Sequence, residues 1–158
     1  MAPSAAACVP AVVIRPLAAT DRPQWARLWE AYLAFYETSV SEAVYTSSFD
    51  RLIDPEVRDY NGLVAEQDGQ LIGLTHYIFH RHGWKLEDVC YLQDLYATPA
   101  SRGTGVGRKL IEGVYAAADA AGTPTVYWMT DATNSVARRL YDRIAALTPF
   151  IKYQRVMS

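Results

Sequence analysis

Apolar side chains at Trp25, Leu28, Trp29, Tyr32, Leu33 and Tyr36 recur at the spacing of one helical face. Asp21, with Gln24 three residues on, makes a capping-box signature ahead of them, and Pro23 suits a first helical turn. This stripe predicts a helix reaching about Tyr36 whose aromatic face packs into a core. Tyr36 and Glu37, at its far end, are the exceptions, set to face a cleft and a substrate. A second helix is expected over Ser41–Ile53, before Asp54–Pro55. Val106, Leu110, Ile111, Val114, Ala117, Ala118 and Ala121 mark a long amphipathic helix ending at Gly122. Asn134 to about Ala146 predicts a fourth.

The other apolar runs are short and read as strands. They are Val12–Arg15, stopped by Pro16, then Gly62–Gln67 and Gln70–His80, joined by the turn-forming Asp68-Gly69. Tyr91, Gln93, Leu95 and Ala97 alternate with Leu92, Asp94 and Tyr96 in a central strand closed by Pro99, after a polar loop over Arg81–Asp88. Thr125–Thr130 and Phe150–Met157 complete the set. The order is strand, two helices, three strands, helix, strand, helix, strand. That predicts an α/β (α+β) fold with a mixed sheet. The length of 158 residues suits one domain, taken as residues 12–158. Residues 1–11 read as a disordered leader without the basic start or apolar centre of a signal peptide.

Composition narrows the function classes. Hydrophobic residues are 51% and charged residues 20%, a balance that argues against disorder. No apolar run nears the ~20 residues of a membrane helix. Fifteen Lys and Arg against seventeen Asp and Glu, a net charge of −2, argue against a dedicated nucleic-acid or anionic-membrane binder. Cys8 and Cys90 supply neither a disulfide framework nor a zinc site, which points to a reducing cytoplasm. His76, His80 and His82 have no added Cys or close carboxylate, so no metal is expected; His80 and His82 are read as surface residues.

The chemistry centres on Arg102-Gly103-Thr104-Gly105-Val106-Gly107, a loop after a strand and at the start of a helix. The first N–H groups of a helix lack partners and carry partial positive charge, and glycines let backbone approach a diphosphate. Arg102 adds a charge-assisted donor, and Arg108 and Lys109 extend the positive field. The dinucleotide fingerprint fails, because Arg108 or Leu110 stands where its last glycine belongs. The P-loop fails too, since Gly107 is followed by Arg108-Lys109-Leu110.

Arg102-x-x-Gly105-x-Gly107 after Leu95-Tyr96-Ala97-Thr98-Pro99 resembles the signature of the GNAT superfamily of N-acetyltransferases. Gly73–Phe79, Tyr91–Tyr96 and Asn134–Tyr141 are similar to the small polyamine acetyltransferases and to the yeast-type histone and D-amino-acid acetyltransferases. The diamine enzymes usually carry Glu-Asp where this chain has Gln93-Asp94, so one carboxylate is missing from their pattern. The resemblance implies a GNAT fold, a mostly antiparallel sheet flanked by helices, and an acetyl-CoA co-substrate held at residues 102–108. It also implies backbone N–H groups of Leu95, Tyr96 and Ala97, on a bulged strand, bonding the pantetheine and acetyl carbonyls.

Tyr141 lies two helical turns after Asn134, at the edge of a face marked by Val136, Leu140 and Ile144. The residues alone leave packing and catalysis open for Tyr141; the resemblance makes it the acid that protonates the leaving thiolate. Asn134 reads first as a helix cap and second as a pantetheine contact. Asp94 or Glu37 is the candidate base, since a primary amine must lose a proton before attack. Tyr36, Glu37, Gln93 and Asp94 form the expected acceptor site. The acceptor is read as a small cationic amine or amino acid, with a protein lysine or a non-catalytic acyl-CoA sensor as alternatives. A homodimer is expected from the resemblance and the 12% aromatic content.

Overall fold

A computed structural model of the chain describes residues 10–157; Cys8 and all but the end of the expected leader lie outside them. Residues through Trp128 form one compact unit and those from Met129 onward a second. The first holds a sheet ordered β1(Val13–Pro16), β2(Tyr60–Gln67), β3(Gln70–His80), β4(Val89–Ala97) and β5(Val126–Tyr127). The first four strands are antiparallel neighbours, and β5 runs parallel to β4. The helices α1(Arg22–Phe35), α2(Glu42–Ile53) and α3(Val106–Ala120) belong to the same unit.

The aromatic stripe of α1 is a core. Trp25, Leu28, Trp29 and Leu33 are buried with Phe49 of α2 and with Val64, Leu71, Leu74 and Tyr96 of the sheet. Full burial of each such side chain is worth about 1.5–3 kcal/mol. Stacking of Trp25 on Trp29, with centroids 5.0 Å apart, adds to that. The expected capping box does not form. Asp21 has a stronger partner in the Arg15 guanidinium, and Gln24 is drawn to the β2–β3 turn instead. Its Nε2 donates to the Gly69 carbonyl at 3.2 Å, and its Oε1 accepts from the Leu71 N–H at 2.9 Å.

The opposite sheet face receives α3 through Val106, Leu110, Ile111, Val114 and Ala118. Close approach needs Gly73, where an added Cβ would stand 2.8 Å from the Tyr96 carbonyl oxygen and 3.1 Å from Val106 and Leu110. Adjacent strand residues point to opposite faces, so Leu74 then belongs to the α1 side.

Two strand expectations need correction. The strand expected over Thr125–Thr130 contracts to Val126–Tyr127, because β4 pairs with it only at Cys90 and Tyr91. Phe150–Met157 is not a strand. Every residue of it is exposed, and an extended segment without a neighbouring strand has no ladder to hold it. In the second unit, α4(Ser135–Ile144) is capped by Asn134, whose Oδ1 accepts from the Ala137 N–H at 3.2 Å. Val136, expected on a buried face, is 66% exposed, and α4 has no fully buried residue.

Candidate active site

Strand β4 does not keep the alternation expected of it. His76 pairs with Asp94 but Tyr77 with Leu92, so Gln93 is one residue too many, a β-bulge. The hydrogen bonds record the consequence. Before the bulge the Cys90 N–H points away from β3 and donates to Thr125 at 2.8 Å; after it the Thr98 N–H points toward β3 and donates to Ile72 at 2.9 Å. Strand alternation then aims the amides of Leu95 and Ala97 away from β3, at an edge that β5 leaves unpaired. Tyr96, expected to share that role, turns its amide to Leu74 on β3 instead, because neighbouring residues address opposite edges.

The bulge also carries Asp94 and Tyr96 onto the α1 side. Asp94 is 6% exposed and His76 fully buried. The Trp25 indole N–H donates to His76 Nε2 at 2.9 Å, and His76 Nδ1 lies 2.8 Å from an Asp94 carboxylate oxygen. Among the described residues, His76 is the one basic side chain within 4 Å of that carboxylate. Burial first, and the Asp94 charge second, push the hydroxyls of Tyr32, Tyr60 and Tyr91 above the ordinary phenol range, so they stay protonated.

From Tyr32 an aromatic run leads to the glycine loop. Tyr32 meets Tyr36 and Tyr96 edge-on, at 5.1 and 6.5 Å, and the Arg102 guanidinium lies 5.8 Å from the Tyr96 centroid and 5.9 Å from Phe35. Arg102 Nε donates to the Ala97 carbonyl at 3.2 Å. Gly103 and Gly105 have φ of +77° and +90°, the left-handed conformation only glycine adopts freely. A Cβ on either would enter open space. Gly105 caps α3 without a side chain, and the first bond of the helix runs from the Lys109 N–H to the Gly105 carbonyl. The N–H groups of Val106, Gly107 and Arg108 thereby lie outside the helical ladder, as an anion cradle requires. These residues fit a pyrophosphate. Thr104 is committed to the Ser101 carbonyl at 2.6 Å and the Arg108 side chain to Glu112 at 2.7 Å.

The other candidates separate. Gln93 is exposed beside Asp94 on the bulge. Glu37 is exposed at a left-handed residue, φ +54°, that ends α1. Tyr141 is half-buried on α4 and belongs to the second unit with Asn134. A groove of about 440 Å³ between α1 and α2, lined by Trp25, Glu30 and Tyr45 among others, holds none of the expected site residues. The sequence alone did not reveal His76 as the partner of Asp94 or Trp25 as the partner of His76. The available signal was a histidine inside the apolar run Leu74–Phe79, where an unpaired imidazole is costly.

A family model described as the acetyltransferase (GNAT) family matches residues 25–146. The chain is 41% identical over 145 residues to the D-amino-acid N-acetyltransferase HPA3 of Saccharomyces cerevisiae, across 91% of this chain and 90% of that protein. The chain belongs to the GNAT acetyltransferase family. As a GNAT enzyme it transfers acetyl groups to amines, and the family's donor is acetyl-CoA. Its mixed sheet is the GNAT fold. An aminoglycoside N-acetyltransferase, AAC(6')-Iy, solved with CoA, superposes with a TM-score of 0.82 at 16% identity, over 98% of this chain and 100% of that one. A ribosomal-protein-alanine N-acetyltransferase from Brucella melitensis biovar Abortus 2308 gives 0.77 at 21% identity, over 93% and 99%. Among the described residues of this GNAT chain, no helix is long and apolar enough to cross a membrane. No group of three His, Cys, Asp or Glu among them is arranged to hold a metal ion.

Proposed function

We propose that the enzyme acetylates the amino group of a small amino acid or cationic amine, with D-amino acids the first class to test. The observation that carries this is the 41% identity to a D-amino-acid N-acetyltransferase over nine-tenths of both chains. Bound acetyl-CoA supplies an activated acetyl thioester. Its pyrophosphate would be held by the N–H groups of Val106, Gly107 and Arg108, with Arg102 as the cationic arm. The outward amides of Leu95 and Ala97 hold the pantetheine and polarise the acetyl carbonyl, where preorganised donors are most effective. Asp94 takes the proton from the incoming ammonium and leaves a neutral amine to attack the acetyl carbon. Burial beside the sheet favours Asp94 over Glu37, which is exposed to solvent. Tyr36 and Gln93 line the acceptor side. On the family resemblance alone, Tyr141 protonates the departing thiolate and Asn134 contacts pantetheine.

Acetyl-CoA turnover against D- and L-amino acids, polyamines and lysine peptides tests this reading. D-amino acids or small amines should be acetylated. Turnover of lysine peptides alone, or acetyl-CoA binding without any turnover, would replace it with a protein acetyltransferase or a sensor. Gly107→Glu sets a negative charge into the cradle and should weaken acetyl-CoA binding in calorimetry by several kcal/mol. Tyr141→Phe should cost about 10²–10³-fold in kcat with affinity retained. We also read the enzyme as a cytoplasmic homodimer, supported by exposed Trp84, Phe150 and Tyr153, at 81–88%. A monomer mass by light scattering would refute the dimer.

A further inference from the structure

We infer that Trp25 and His76 are positioning residues that keep Asp94 a free base: the Trp25 indole locks His76 as a neutral donor to the Asp94 carboxylate. The inference rests on Asp94 as proton acceptor and adds the device that preserves it. An indole nitrogen only donates, so His76 Nε2, 2.9 Å away, must present its lone pair. A neutral imidazole carries one proton, which therefore sits on Nδ1, facing Asp94 at 2.8 Å. The contact has the spacing of an ion pair but the chemistry of a neutral hydrogen bond.

A second proton on His76 would set two N–H groups head to head. His76 is fully buried, with the rings of Trp25, Trp29 and Tyr60 centred 5.8–5.9 Å away, so the ring has no room to turn to water. The titratable groups around the pair are Asp94 of β4, Tyr32 of α1, Tyr60 of β2 and Tyr91 of β4, with Arg51 of α2 acting on Tyr60. All but Arg51 are acids. Without the lock, acidification would place an imidazolium against Asp94, and the resulting ion pair would no longer take a proton from an ammonium. With the lock, the carboxylate keeps an orienting donor and keeps its basicity.

The test is ¹⁵N NMR of the full-length wild-type protein, which needs no variant. His76 should show protonated Nδ1 and unprotonated Nε2 throughout the pH range of activity. An Nε2–H tautomer or an imidazolium at neutral pH would overturn the lock. Trp25→Phe keeps a ring but removes the indole N–H. In it His76 should acquire a second proton on acidification. Its kcat/KM should fall about tenfold to a hundredfold below wild type at the acid end and recover as pH rises. A loss of equal size at every pH would reduce Trp25 to packing and overturn the inference. If that variant does not fold, His76→Asn serves in its place. Its amide N–H donates as Nδ1 does and carries no charge, so the pH profile should keep its wild-type shape; a steeper acid limb would count against the lock. Asp94→Asn separates the two readings. Undiminished kcat/KM there would remove Asp94 as base while leaving the His76 tautomer as measured, whereas a wrong tautomer sinks the lock alone.

Discussion

Two carboxylates are buried almost equally in this enzyme, and they are held in opposite ways. Asp21, 5% exposed, receives two hydrogen bonds from the Arg15 guanidinium, at 2.7 and 2.9 Å, and a third from the Ala18 N–H at 2.8 Å. Asp94, 6% exposed, has the neutral imidazole of His76 at 2.8 Å. A permanent cation neutralises Asp21 and makes it a fastener between β1 and the start of α1. Asp94 has an orienting donor and, among the described residues, no permanent cation within 4 Å. Burial alone does not distinguish a structural acid from a working one; the charge of the partner does.

Removing the partner tests the difference most severely. Arg15→Met strips Asp21 of its cation and leaves a buried carboxylate without a countercharge. The expected loss is about 3–5 kcal/mol of stability, read as a fall in the urea midpoint. A variant as stable as wild type would mean that Asp21 needs no cation.

Asp94→Asn and Asp21→Asn should then behave as opposites. The first should lower kcat/KM by about 10²–10⁴-fold while leaving the unfolding midpoint near wild type, because a buried lone charge is removed. The second should leave kcat/KM of the folded protein unchanged and cost about 1.5–3 kcal/mol in denaturant melts. Variants that both lose activity with stability, in step, would erase the contrast.

The smallest effect is the pH response of stability. Hydrogen bonding from Arg15 holds the Asp21 carboxyl below the usual carboxylate range. A depressed acid stabilises the fold fully above its unfolded value, about pH 4, and that contribution is lost as pH falls through the lowered folded value. Urea midpoints measured across acid pH should fall for wild type and fall less for Asp21→Asn. Equal slopes would remove Asp21 from the acid response.

Local pattern carried much of this enzyme into view. The spacing from Trp25 to Leu33, the Asp68-Gly69 turn and the Arg102–Gly107 loop each act over a few residues, and each became the element expected of it. Helix periodicity, a turn that needs positive φ and a glycine cap are properties of neighbouring residues, which a sequence displays directly. Phe150–Met157 is an exception: its apolar residues suggest a strand, yet the segment forms none and every residue of it is exposed. Local pattern also assigned Asp21 and Gln24 to each other, when Arg15 and the β2–β3 turn compete for them through space.

What the amino-acid order determined by itself is therefore the family, the order of elements through α4 and the glycine loop that opens α3. The tertiary structure alone decided the side of the sheet on which Asp94 lies. A bulge exists only relative to a partner strand, so the count of residues between Leu92 and Asp94 has no meaning until β3 supplies the register. That register brings His76 under Asp94, and helix packing then brings Trp25, fifty-one residues earlier in the chain, onto the imidazole. Each of these contacts is set by the closing of long loops around one core, and short-range periodicity carries no information about which distant donor will meet a buried acceptor.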